Sequence, residues 1–355
     1  MTTPALMRLR EKFPDSHITL LTPEKLMDLW AGHPAVNATI SFTPDESVFL
    51  VGRRLRAGKF DLALVLPNSP RSAMETWLAR IPQRIGYARP WRNWFLTQAV
   101  PSRTGVVKMQ KRSVAEIQRL VAADVSRRTI PDNRAFTSAA TNGHQFQEYL
   151  HLAAVIGANP EPLAPQLFVS SGEIEAVKKK FGLEQITQPV FSLNPGAEYG
   201  PAKRWPVERF IAAAREIQKR TNCVWLIFGG RNDAVVAGQI ESAIGNRQSA
   251  MFNLAGKTSL RELMSLLKAC RVLLTNDSGP MHVAAALGTP VVVPFGSTSP
   301  ELTGPGLPGD SRHCLLKSDA PCSPCFLREC PIDFRCMNGI SVERVIEAVL
   351  ATQAT

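Results

Sequence analysis

The chain has 355 residues, of which 45% are hydrophobic, 20% charged and 7% aromatic, and its formal net charge is +11. That composition excludes a disordered, collagen-like or coiled-coil protein, and at about 150 residues per domain the length predicts two domains. No run reaches the roughly 18 uninterrupted apolar residues of a membrane span, and MTTPALMRLREKFPDSH lacks a signal-peptide apolar core, so the expected compartment is the cytoplasm.

Helix-period and strand-like segments alternate along the chain. Pro4 to Phe13 reads as a helix with Leu6, Leu9 and Phe13 on one face, and HITLLT (17–22) as a buried strand. Short helix 24–30, strand 36–42, helix 47–57 and the apolar strand DLALVL (61–66) follow, then helix 72–79 and strand 83–87. The stretch 121–141 is polar and aperiodic and reads as a loop; helix 146–154 comes next. GANPEPLAP (157–165) has three prolines and a glycine and is the expected linker. The rhythm then restarts: helix 172–181, strand 189–193, helix 207–220, strand CVWLIF (223–228), helix 233–244, helix 260–269, strand 271–275, helix 280–287, strand PVVVP (290–294) and helix 342–351. This βαβ order predicts two doubly wound α/β domains, residues 1–165 and 166–355, facing a cleft. Ligands of such sheets bind outside the carboxyl ends of the strands, so the strand-to-loop junctions are the places to look.

The positive charge is concentrated. Residues 51–128 hold sixteen Lys or Arg against four acids, a local +12 within a chain of +11. A basic face of this kind attracts polyanions, whether nucleic acid, anionic lipid or a phosphorylated glycan. Trp91 and Trp94 lie inside its most basic aromatic stretch, which suits a membrane interface, a sugar ring or a stacked base. The bland alternative is a solvated face with both tryptophans in the core.

Four junctions carry candidate chemistry. NPGAEYGPAKRWP (194–206) follows a strand, with Gly196 and Gly200 permitting close backbone approach and Lys203 and Arg204 supplying charge for a diphosphate or carboxylate. TNDSGPMHVAAALGTPVVVP (275–294) ends a strand at Asp277, and Ser278 can cap the helix that follows, with Gly279 and Pro280 early in it. Its open N–H groups favour phosphate, Asp277 can accept from sugar hydroxyls, and His282 lies in the first turn. FGGRND (228–233) places Asp233 to bond a ribose or cap a helix. Cys322, Cys325, Cys330 and Cys336 cluster at spacings that leave zinc, disulfides and free thiols all open. GxGxxG after a strand, the Walker loop, HExxH and GxSxG are all absent. Two α/β domains with phosphate-friendly loops in the second half point to group transfer from a nucleotide-activated donor.

NPGAEYGPAKRWP and NDSGPMHVAAALGTPVVVPFGSTSPELTGP together resemble the signatures of the bacterial ADP-heptose:lipopolysaccharide heptosyltransferases, and CSPCFLRECPIDFRC is similar to the tail of their type II branch. The resemblance runs from about Met1 to Val349. It implies a GT-B fold and an inverting, metal-independent glycosyltransferase that needs no cofactor. The donor is ADP-heptose in the C-terminal domain, and the acceptor is the Kdo-containing lipid A core in the N-terminal one. It implies donor-binding roles for Lys203 on the diphosphate, Asp277 on the heptose hydroxyls, and Ser278, Gly279 and His282 on the phosphates. Asp233 would sit near the ribose and Thr258 near the adenine. It also implies peripheral work at the inner face of the inner membrane, with residues 51–128 meeting anionic lipid and no nucleic acid partner. The family's pattern opens with a strand and a Gly-Asp loop whose Asp is the proposed base, ahead of the helix that here starts near Pro4. Met1 is thus expected to be an internal methionine of a longer protein. No residue of this sequence is assigned as catalytic base, and the chain as given is expected to bind donor with little transfer. The alternatives are a type I or III heptosyltransferase, a catalytically impaired nucleotide-sugar binder, and, from the charge alone, a nucleic-acid-binding protein.

Overall fold

The computed structural model describes residues 1–104, 107, 109–125, 143–245 and 251–352. The chain divides into two compact units, Met1–Val107 with Asn142–Leu163, and Lys108–Thr141 with Ala164–Thr355.

The first unit opens with α1 (Thr3–Lys12), whose Ala5 and Leu6 are buried, followed by β1 (Thr19–Pro23), a 3-10 turn at Glu24–Trp30, and β2 (Ala38–Phe42). Then come α2 (Val48–Ala57), β3 (Leu62–Val65), α3 (Pro70–Leu78), β4 (Gln83–Tyr87) and β5 (Gln98–Val100). Ser47 and Ser69 start α2 and α3 by accepting the Phe49 and Ser72 N–H groups, and Pro70 sits at the first turn of α3 where a missing donor costs nothing. Among the described residues all pairings of this unit are parallel, but they form two sheets rather than one: β1 with β2, and β3–β4–β5. One hydrophobic layer serves both, since Leu21 of β1, Ile40 of β2 and Ala63 of β3 pack on the cluster Val51, Leu55, Ala79 and Ile81. DLALVL is less buried than its sequence predicts, with Leu62, Ala63 and Leu64 half-buried. The tryptophans of the basic stretch are outside any core, Trp91 being 84% and Trp94 88% exposed, which removes the bland alternative for them.

The helix α4 (Val114–Val125) falls in the second unit, so the expected first domain, residues 1–165, is interrupted: the described residues of 109–125 belong with the C-terminal unit, while the later division lies between Leu163 and Ala164. The reason is packing. Ile117 of α4 is buried with Cys322 and Cys325, and the Arg112 guanidinium donates to the Pro321 carbonyl at 2.9 Å. The basic window 51–128 is therefore shared by both units. Residues 121–125 end this helix rather than starting a loop, and the rest of the expected loop, 126–141, lies outside the described residues. Returning to the first unit, α5 (Phe146–Val155) packs on α1.

The second unit runs α6 (Ser171–Lys180), β6 (Val190–Asn194), α7 (Val207–Thr221), β7 (Val224–Ile227), α8 (Ala234–Ile244), β8 (Met251–Asn253), α9 (Leu260–Ala269) and β9 (Val272–Thr275). It continues with α10 (Gly279–Ala286), β10 (Val291–Pro294), α11 (Pro300–Thr303), β11 (Cys314–Leu316), α12 (Arg335–Asn338) and α13 (Val342–Thr352). Six parallel strands lie in the order β11-β10-β9-β6-β7-β8, a doubly wound sheet that reverses between β6 and β9. Strands buried on both faces explain the unbroken apolar runs VWLI and VVVP. The core gathers Phe191, Trp225 and Phe210 around the sheet, with the Trp205 ring meeting Phe210 edge-on at 5.1 Å. Closing the layer, α13 packs on α7 and β10.

Candidate functional site

The reversal between β6 and β9 opens a crevice at their carboxyl ends, and the predicted residues of 194–204 and 275–282 emerge there. Two buried asparagines stitch the two loops together. The Asn194 side-chain amide donates to the Thr275 and Ser278 hydroxyls, each at 3.1 Å. The Asn276 amide donates to the Pro195 carbonyl at 2.7 Å, and its carbonyl accepts the Trp205 N–H at 2.9 Å.

This stitching brings Lys203 to Asp277. The Lys203 ammonium donates to Asp277 Oδ2 at 2.6 Å, with side chains 13% and 5% exposed. The Thr298 hydroxyl donates to the same oxygen at 2.6 Å. Asp277 is thus no helix cap: its carboxylate is held by a cation and a hydroxyl from two other loops. Lys203 also lies 4.7 Å from the centre of the Tyr199 ring. A charge-assisted pair this well buried is a strong local dipole whose cation can be re-partnered by an arriving anion.

Ser278 occupies the N-cap position of α10 in extended backbone, but its side chain makes no capping bond; the hydroxyl is taken by Asn194. That corrects the sequence expectation of a serine cap. It leaves the N-terminal N–H groups of α10, beginning at Gly279, without a side-chain cap at a dipole end that favours negative charge. His282 lies in the first turn of this helix, partly buried.

Asp233 sits at the neighbouring strand end, after β7. Its carboxylate accepts the Gly230 N–H at 2.9 Å and lies 4.0 Å from the Arg204 guanidinium. Gly196 is required by this contact, because a Cβ there would come 2.4 Å from the Asp233 carboxylate. So 194–204 meets Asp277 through Lys203 and Asp233 through Gly196 and Arg204. The loop after β8 reaches the same corner through the Gly256 N–H on the Gly229 carbonyl at 2.9 Å, and Thr258 follows in that loop, half-buried.

Sequence reasoning missed Asn194, Asn276, Tyr199 and Thr298. The rule that ligands meet strand ends would have found Thr298, since FGSTS follows PVVVP directly. The cysteine tail is tied to this site as well. All seven cysteines are free, and among the described residues no three His, Cys, Asp or Glu side chains are grouped to hold a metal. Burial, and then the neighbouring Cys322, Cys325 and Cys330 sulfurs, push the Cys336 thiol up to about 12, so it stays protonated at neutral pH.

The sequence pattern of glycosyltransferase family 9 (heptosyltransferase) matches residues 114–334. The lipopolysaccharide heptosyltransferase 2 of Salmonella typhimurium (strain LT2) is 32% identical over 306 residues, covering 84% of this chain and 79% of that relative. The protein of the same name from Escherichia coli (strain K12) is 32% identical over 307 residues, with 84% and 79% covered. Among solved structures, E. coli ADP-heptose lps heptosyltransferase II superposes with a TM-score of 0.75 at 28% identity, covering 100% of this chain and 94% of that one.

Proposed function

The chain belongs to glycosyltransferase family 9, the heptosyltransferases, and from that premise we propose that it moves L-glycero-D-manno-heptose from ADP-heptose to the inner core of lipopolysaccharide, as a type II heptosyltransferase of GT-B fold. The observation that carries the reading is the Lys203–Asp277 pair beside the uncapped start of α10, at the switch point of the second unit's sheet. An activated sugar brings a diphosphate and a polyol together, and this crevice offers a cation with helix N–H groups for the first and a carboxylate for the second.

In this account Lys203, Ser278, Gly279 and His282 hold the diphosphate, Asp277 receives the heptose hydroxyls, and Asp233 and Thr258 line the nucleoside side. As the glycosidic carbon leaves ADP, negative charge grows on the β-phosphate. Lys203 and the α10 N-terminus stabilise that charge more in the transition state than in the ground state, which is what accelerates transfer. Transfer needs no metal or organic cofactor in this scheme.

The acceptor is a Kdo-bearing lipid A core, met at the inner face of the inner membrane. The exposed Trp91 and Trp94, set among Arg80, Arg84 and Arg89 of the first unit, support contact with an anionic bilayer. Among the described residues no helix is long and apolar enough to cross a membrane. The test is heptose transfer from ADP-heptose to defined truncated lipopolysaccharides that differ by one inner-core sugar. Transfer only to the acceptor already carrying one heptose supports the type II reading; transfer only to the heptose-free acceptor replaces it with type I, and donor binding without transfer to either replaces it with the impaired nucleotide-sugar binder.

A further inference from the structure

The cysteine-rich segment, residues 322–336, is fastened to the loop after β10, which carries Thr298, and to the 194–204 loop. The Cys325 and Phe326 N–H groups donate to the Ser297 carbonyl at 3.1 and 2.7 Å, and the Ser323 hydroxyl donates to the Gly296 carbonyl at 2.7 Å, next to Thr298. On the other side the Tyr199 hydroxyl donates to the Phe326 carbonyl at 2.7 Å, and the Ala202 N–H to the Arg328 carbonyl at 2.9 Å. Gly200 makes that approach possible: its φ is +152°, and a Cβ there would stand 2.5 Å from the Arg328 oxygen.

The consequence is a second cation at the site. The Arg328 guanidinium lies 5.3 Å from the centre of the Tyr199 ring, the ring that Lys203 also approaches at 4.7 Å. Lys203 is neutralised by Asp277, whereas no carboxylate among the described residues pairs with Arg328. Two cations on one aromatic ring repel each other, and a dianionic group between them relieves the repulsion. A planar guanidinium with free donors also matches phosphate oxygens two at a time. The four buried or half-buried thiols pack the segment that carries it, with Cys322 and Cys325 in the cluster around Ile117.

We propose that Arg328, delivered by the cysteine-rich segment, is a second cationic ligand for the donor's diphosphate, acting with Lys203 across Tyr199. The inference rests on the donor-site reading above and adds a segment outside the residues assigned there. It is tested by calorimetry of ADP binding to the full chain, comparing the parent with Arg328→Ala, Arg328→Gln, Lys203→Ala and Arg335→Ala. Arg335 is a control on the same segment, paired with Asp333 at 2.9 Å. The expected result is ADP binding weakened about tenfold or more in both Arg328 variants, and unchanged in Arg335→Ala. The Arg328 side chain is exposed and its backbone bonds survive substitution, so unchanged thermal midpoints are expected. If the Arg328 variants bind ADP like the parent while Lys203→Ala is weakened, the inference is overturned and the proposed function stands. Equal weakening in Arg335→Ala also overturns it, by reducing the effect to general charge. A parent that does not bind ADP overturns both.

Discussion

Asp277 and Lys203 make predictions of opposite sign. The Lys203 ammonium is 2.6 Å from the Asp277 carboxylate. At an effective dielectric of about 20 their gross attraction is about 6 kcal/mol, of which a charge-assisted hydrogen bond leaves about 1.5–3 kcal/mol net of solvation. An arriving diphosphate must share that lysine and also faces the carboxylate's repulsion. Asp277→Asn keeps the shape and removes the competitor, so ADP is expected to bind about tenfold more tightly, or about 1.4 kcal/mol. Lys203→Ala is expected to weaken ADP by about 1.5–3 kcal/mol, roughly 10- to 150-fold. With ADP-heptose the gain in Asp277→Asn shrinks, because a neutral amide is a poorer acceptor for the sugar hydroxyls, and transfer falls. Titration calorimetry with ADP and ADP-heptose on the three proteins reads all of this. Weakened ADP binding in Asp277→Asn would show that the carboxylate does not compete with the phosphates for Lys203.

Gly196→Ala pushes a methyl into the Asp233 carboxylate, whereas Gly230→Ala has 3.7 Å of room; ADP affinity is expected to drop in the first and hold in the second, and equal affinities would remove Asp233 from the nucleoside side. Burial without a ring partner lowers His313 to about 4 despite the nearby Asp310, so the fold keeps it neutral while the unfolded chain takes a proton near 6.5. Stability is therefore lost as pH falls from 6.5 to 4, by up to about 3 kcal/mol, and His313→Gln is expected to flatten that limb of the melting-temperature profile. The opposite limb belongs to the thiols: burial raises Cys270 from 9.0 to about 12, so its contribution is intact below pH 9 and lost as pH rises towards 12. At pH 10 the loss is about 1.4 kcal/mol for that thiol, seen as a smaller pH 8-to-10 drop in urea stability for Cys270→Ala; identical drops would contradict it.

The segments of regular structure were legible because their periodicity and their Ser, Pro and Gly punctuation agree. Ser47, Ser69 and Ser259 each cap the helix that follows them. Strands β5, β8 and β11 were invisible because three residues are too few to display alternation. The split of the first unit's strands into two sheets depends on pairing partners far apart in sequence, which a local pattern does not encode. Lys203 and Asp277 were found because each follows a strand end. Thr298 follows a strand end too, in FGSTS after PVVVP, and the same rule reaches it. Tyr199 and Arg328 were out of reach, since the tail meets the loop across a separation of 127 residues from Tyr199 to Phe326. The placement of α4 failed for the same reason, its partner Cys322 lying some two hundred positions downstream.

A crystal structure of the chain with ADP-heptose bound would show where the donor sits. The expected result is the diphosphate within hydrogen-bond reach of Lys203 Nζ and of the Gly279 N–H at the start of α10, with heptose hydroxyls on Asp277. A donor whose phosphates lie away from both elements, with the Lys203–Asp277 bond intact, would contradict it.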